Sequence, residues 1–321
     1  MATRIGLVIG SSLGPDQLAS AAQQAEGAGF ADLWLAEDFF FTGGISGAAI
    51  ALGATSRIRV GLGVVSALVR HPALLAMEIS TLARSFPGRF LPGIGLGVPA
   101  WMRQMGLLPD SPLAAVRDCV TAVRRLLEGD ELTAAGQIFE FNRVRLEYPQ
   151  SESIPLYLGV IGPKMLELSG EIADGSVLSV LSGPKYVRWA RERIATGRQR
   201  GGRTGDHQVT AFAIYSVDHS AARAKEAARA MLAFHLGAGG RNALTDLAEI
   251  SDRLPSPPFE PAAILDEWVD DLAIAGSPTE VLAKIQNLID AGADSVALFP
   301  TPAERAAEII ELTAGEVLSR M

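Results

Sequence analysis

The feature that most restricts this chain is a series of eight short apolar runs spread along its whole length. They are Arg4 to Gly10, Asp32 to Ala36, Ile58 to Val65, Phe90 to Gly97, Pro155 to Ile161, Gly175 to Leu181, Val209 to Val217 and Ser295 to Pro300. Most are continuously apolar rather than alternating, the pattern of parallel strands covered on both faces. Helix-like segments lie between them. Six carry proline at the first helical position, where a missing amide is no loss: Pro15, Pro72, Pro112, Pro163, Pro184 and Pro278. The clearest start is Ser277-Pro-Thr-Glu280, a capping box followed by a stripe of Val281, Leu282, Ile285, Leu288 and Ile289.

Eight strands alternating with helices predict an α/β fold of the (β/α)8 barrel type, with a doubly wound open sheet as the alternative. The even spread of units over 321 residues, with no break in composition, favours the barrel and a single domain over residues 1–321. Two stretches exceed ordinary loop length. Asp130 to Gln150 reads as a hairpin inserted before the fifth strand. Leu236 to Trp268, punctuated by Gly and Pro, reads as an insertion between helix seven and helix eight; at this length it is expected near the barrel mouth, as a lid or binding loop.

Composition narrows the partners. The chain is 48% hydrophobic with a formal net charge of -8, which argues against a nucleic-acid or anionic-membrane partner and for a small-molecule substrate. No long apolar segment is present to span a bilayer or act as a secretory signal, so the expected address is the cytoplasm. The single cysteine, Cys119, has no internal partner and is expected to pack inside a helix face. The four histidines show no metal spacing, so no metal is expected; His71, directly before Pro72, is expected to cap or brace its loop.

In such a barrel the chemistry belongs at the C-terminal ends of the strands. Glu37 and Asp38 stand there side by side after the second strand. Neighbouring strand residues point to opposite faces, so one of the two is expected to face the barrel axis as a general acid or cofactor ligand. The duller reading has one capping the next segment and the other paired with a rim arginine. After the third strand, Gly61 and Gly63 precede Val64 and mark a bulge or a close backbone approach. After the fifth, Gly162 admits close approach of a ligand, Pro163 presets the first helical turn, and Lys164 adds a cation; this is an anion site or simply a good helix opener.

Five segments together resemble the luciferase-like monooxygenase superfamily: GAGFADLWLAEDFF, GLGVVSALVRHP, FPGRFLPGIGLG, LGVIGPKMLELSGEIADGSVLSVL and AGSPTEVLAKIQNLIDAGADSVALFP. The resemblance runs from Ile5 to about Leu318 and is nearest to the branch of oxidoreductases using the deazaflavin coenzyme F420, which includes methylenetetrahydromethanopterin reductase. It implies a luciferase-like TIM barrel with the ring over the strand mouths and, as relatives often are, a homodimer. Carried onto this sequence, Val160, Ile161, Gly162, Pro163 and Lys164 would cradle the cofactor phosphate. Gly63, Val64, Val65 and Ser66 would underlie the ring, with a non-prolyl cis peptide between Gly63 and Val64 whose bulge bends it. Ser179 and Ser182 would follow the cofactor side chain; Phe39, Phe41, Val98 and Trp101 would line the substrate pocket.

The family's strand-two motif has an acid followed by His. Here Glu37 and Asp38 stand instead, which argues against luciferase-type oxygen chemistry. The loop after strand four likewise has Val98 and Pro99 where the sugar-phosphate dehydrogenases of the family carry Glu, so their substrate is not transferred. The reading that follows is hydride transfer between coenzyme F420 and a small organic substrate, with Glu37 or Asp38 handling a proton. The alternatives are an FMN-dependent monooxygenase on the same barrel and a non-catalytic cofactor-binding barrel.

Overall fold

A computed structural model describes residues 4–136 and 138–321. All eight apolar runs form parallel strands, at Arg4–Ile9, Asp32–Leu35, Arg59–Leu62, Phe90–Leu91, Tyr157–Val160, Gly175–Leu178, Gln208–Val217 and Ser295–Pro300. The third resumes at Val65–Ser66 and the fourth at Gly93–Gly95, after Pro92, which has no amide to give the ladder but still accepts at 2.9 Å from the Tyr157 amide. These interruptions carry the closure. Val60 pairs with Phe90 on one side, Val65 pairs with Ile94 above it, and Gly93 pairs with Tyr157, so the sheet returns on itself as an eight-stranded barrel.

All six prolines named above open a helical segment, Pro15 as a short 3-10 turn before the helix Leu18–Gly27. Ser277 and Glu280 form the expected capping box. The inserted hairpin is present as Leu132–Ala135 against Glu140–Val144; Gln137, at its turn, lies outside the described residues. The second insertion interrupts the crossover from the seventh strand to the eighth, between the helices Ala221–Gly239 and Pro278–Asp290, and the eighth barrel helix is the later Ala306–Glu316. It contains helices at Ala243–Leu247 and Asp266–Leu272, and a short strand, Ala273–Gly276, that pairs with the far half of Gln208–Val217.

The lumen is filled by large side chains set against glycines. Trp34 is fully buried, edge-on to Tyr157 and to Phe212 with ring centres 5.6 Å away in each case. A β-carbon on Gly61 would lie 2.3 Å from the Trp34 ring, so the third strand has room for the indole only as glycine. Beneath it Asp32, 1% exposed, accepts from Arg59 Nε at 2.6 Å; burial pushes its carboxyl pKa up while Arg59 pulls it down. On the outside, the helices Pro163–Ile172 and Pro184–Arg200 meet backbone to backbone, because a β-carbon on Gly197 would fall 1.8 Å from the Glu167 carbonyl oxygen. That contact fixes the helix whose first turn faces the barrel mouth. Cys119 is buried, and burial pushes its thiol up to about 12, as befits an inert packing residue. No described helix is long and apolar enough to cross a membrane.

Candidate active site

The two carboxylates after the second strand have separate fates. Glu37 receives Arg70 through two hydrogen bonds, Nη1 to Oε2 at 2.9 Å and Nη2 to Oε1 at 2.7 Å, and also the Gly44 amide at 2.9 Å. It therefore caps the helix Gly44–Ala54 and holds the rim arginine at once, taking both duties of the duller reading. A β-carbon on Gly44 would come within 3.1 Å of Glu37 Cβ, so the fit is tight. Beyond Arg70, burial raises the carboxyl of Glu78, whose Oε2 is 3.4 Å from Arg70 Nε. Asp38 accepts one hydrogen bond, from Ser11 Oγ at 2.6 Å, and its carboxylate makes no other among the described residues.

The peptide between Gly63 and Val64 is cis, as expected. The Val64 side chain turns toward the lumen: β-carbons on Gly95 and Gly159 would lie 2.6 and 2.9 Å from its methyl groups. Val65 is fully buried, and Ser66 donates to the Leu96 carbonyl at 2.8 Å, tying the third strand's loop to the fourth's. Their side chains are committed to the protein interior, so only backbone from Val65 and Ser66 is left for a ligand.

At the end of the fifth strand, Tyr157 faces the lumen, and alternation puts Gly159 and the exposed Ile161 on the same face; the Val160 side chain is buried on the other. Gly162 is the N-cap of Pro163–Ile172 at φ −81°, and a β-carbon there would meet nothing within 4 Å. Neither packing nor backbone conformation asks for glycine. The first-turn amides of Lys164 and Met165 have no carbonyl to bond within the helix, and exposed Lys164 forms no ion pair among the described residues. Tyr186, buried, donates to the Ile161 carbonyl at 2.6 Å and steadies this corner. Ser179 is half-buried at the same rim. Ser182 is not: its buried hydroxyl lines a separate cleft of about 160 Å³ with Asp270, Lys284 and Asn287.

Phe39 and Trp101 come together with ring centres 6.0 Å apart, Phe39 buried, whereas Phe41 and Val98 stand exposed on the rim. The long insertion reaches the mouth side through Glu249, which accepts from Lys185 at 2.7 Å in the first turn after the sixth strand. His71 caps its helix, accepting from the Ala73 amide at 3.2 Å, and its Nε2 meets the Glu140 carbonyl at 3.1 Å, which docks the hairpin. Sequence reasoning missed His235. It comes from the helix Ala221–Gly239, its ring edge-on to Phe299 at 6.5 Å; Nε2 is buried without a partner, and burial lowers the pKa to about 4 while Asp38 pulls the other way. A lone His among the apolar residues of a helix, beside Met231 and Leu232 one turn earlier, is the only signal a sequence could give. The largest cavity described, about 870 Å³ around Arg4, Arg191, Arg198 and His207, lies at the opposite end. There Asp294 already holds Arg191 at 2.5 Å and the Val209 amide at 2.7 Å, the pattern of a structural ion pair. Among the described residues no three His, Cys, Asp or Glu cluster as metal ligands.

Known proteins share this architecture. A 5,10-methylenetetrahydromethanopterin reductase of Methanolobus tindarius is 30% identical over 87% of this chain and 89% of its own length. An F420-dependent glucose-6-phosphate dehydrogenase of Nakamurella multipartita is 26% identical, over 96% of this chain and 93% of its own. The solved structure of the coenzyme F420 dependent tetrahydromethanopterin reductase of Methanopyrus kandleri superposes with a TM-score of 0.88 at 25% identity, covering 100% of this chain and 99% of that one. The luciferase-like monooxygenase family model matches residues 2–295, and the chain belongs to that family.

Proposed function

We propose that this protein is an oxidoreductase that moves a hydride between coenzyme F420 and a small organic substrate. The observation that carries the reading is the open space before Gly162, flanked by two amides without carbonyl partners and by the unpaired Lys164. Oriented amides at a helix start together with a cation suit a phosphate. FMN would suit the same donors; F420 is favoured because two of the similar proteins above are F420-dependent by name. When bound, the deazaflavin supplies the hydride chemistry, and the protein supplies position, electrostatics and exclusion of water.

In this reading Val160 to Lys164 hold the phosphate by backbone and Lys164 Nζ, the Gly63–Val64 bulge underlies the ring, and Ser179 lies along the cofactor tail. Ser182, turned into another cleft, drops out. Asp38, steadied by Ser11, moves or orients the substrate proton, while Glu37 braces the rim through Arg70. Phe39 and Trp101 form the apolar wall, with Phe41 and Val98 at its entrance. A homodimer is the proposed assembly, supported by the exposed Leu74 and Met77 on one helix face, and light scattering measures it.

The test is a titration of the purified protein with F420 and with FMN, followed by absorbance and fluorescence. Saturable F420 binding that Asp38→Asn retains while turnover of F420 falls by about a hundredfold or more supports the assignment. Tight FMN binding with no F420 binding overturns it.

A further inference from the structure

Three glycines face the lumen at the third strand's bulge, and only one is demanded by the backbone. A β-carbon on Gly93 would strike the Leu62 carbonyl oxygen at 2.0 Å, so no side chain fits there. Gly95 and Gly159 differ. Neither has a positive φ, and the short contact that a β-carbon would make at each is with one side chain alone. From Gly95 the distance is 2.6 Å to Val64 Cγ2, with the next neighbour, the Gly159 carbonyl, at 3.4 Å; from Gly159 it is 2.9 Å to both Val64 methyls. The two strands therefore form a socket of the size of one isopropyl group. Gly63 rests beside it against the Phe212 ring, which a β-carbon would meet at 2.5 Å. Both residues of the bulge are thus seated downward, into the barrel, and both stay partly exposed above.

We propose that Gly95 and Gly159 are positioning residues for the redox ring: by lacking β-carbons they draw Val64 into the lumen and set the height of the bulge on which the ring lies. The inference rests on the cofactor reading above and adds the part of the chain that controls it. A methyl at either glycine has nowhere to go except into Val64, whose only free direction is up, toward the mouth. The bulge then rises into the space of the ring.

The experiment is a pair of substitution cycles, Gly95→Ala and Gly159→Ala, each made in the wild type and in Val64→Ala, with the dissociation constant of oxidised F420 measured on folded protein well below its unfolding temperature. In the wild-type background each alanine is expected to weaken F420 about tenfold or more, the scale of an overpacked contact. In the Val64→Ala background, where the methyl has room, the same alanine is expected to change affinity less than about twofold. Equal effects in both backgrounds, or thermal destabilisation with an unchanged dissociation constant, overturn the proposal, because a purely structural socket would give those results. Should one alanine variant not fold, the other carries the cycle. If wild-type protein itself fails to bind F420, the cofactor reading is what fails, and the positioning role falls with it.

Discussion

The two ends of the barrel treat charge in opposite ways. At the N-terminal end the carboxylates beside the strand starts are committed: Asp32 to Arg59, and Asp294 to Arg191 and the Val209 amide. At the C-terminal mouth the helix-start amides at Lys164 and Met165, the Lys164 cation and most of the Asp38 carboxylate have no partner among the described residues. A buried charge without a partner is costly, which is why Asp32 at the base is paired; the mouth groups are open to solvent, where water or a ligand completes them. Glu37 marks the boundary, a mouth residue treated as if it lay at the base.

Breaking a base pair should therefore cost stability, and breaking a mouth contact should cost affinity. The largest effect is expected from Arg59→Met, which strands Asp32 and should lower the unfolding free energy by about 3 kcal/mol in denaturant titration. Loss of under 1 kcal/mol would mean that water reaches that end. Next comes Glu37→Gln. Losing the charge on hydrogen bonds from Arg70 should remove about 2 kcal/mol of stability, with F420 affinity in the folded protein changed little. If affinity falls and stability holds, Glu37 belongs to the mouth after all. Gly162→Val should reverse that pattern: with open space before it, the side chain leaves stability within about 0.5 kcal/mol while filling the phosphate seat, which weakens F420 about tenfold. Intact affinity would remove the seat from the proposal.

Much of the fold was legible because its signals are local. Continuous apolar runs gave the eight strands, and proline gave the helix starts from Pro72 to Pro278, since both depend on residues close in sequence. The strand Ala273–Gly276 escaped because four residues between a helix and a capping box carry no periodicity. The breaks at Gly63–Val64 and Pro92 shortened two strands for the same reason: ladder geometry decides them, not composition. The site was legible only as a set of positions. Glu37 and Asp38 are adjacent in sequence, yet their roles are separated by Arg70, which lies 33 residues downstream of Glu37, and by Ser11, 27 residues before Asp38. His235 and Tyr186 reach the mouth from helices, so no motif announced them. Gly61 and Gly63 announced a bulge or a close approach, whereas Gly95 and Gly159 looked like ordinary strand glycines until Val64 was seen to fill the space they leave.

The smallest effect sharpens the comparison furthest, because it concerns a charge in open solvent. Lys164 is exposed and forms no ion pair among the described residues, so its removal should leave the fold untouched, unlike that of Arg59. If it faces a phosphate in water, the pair is worth only about 0.5 to 1 kcal/mol, and Lys164→Ala should weaken F420 about threefold at low salt. Screening makes the distinction. At high ionic strength the wild type should lose that margin and converge on the variant, whereas the amide contacts, which are shorter and shielded, should persist in both. Affinities that stay parallel from low to high salt would mean that Lys164 contributes through its aliphatic stem rather than its charge. The anion seat would then consist of backbone donors alone.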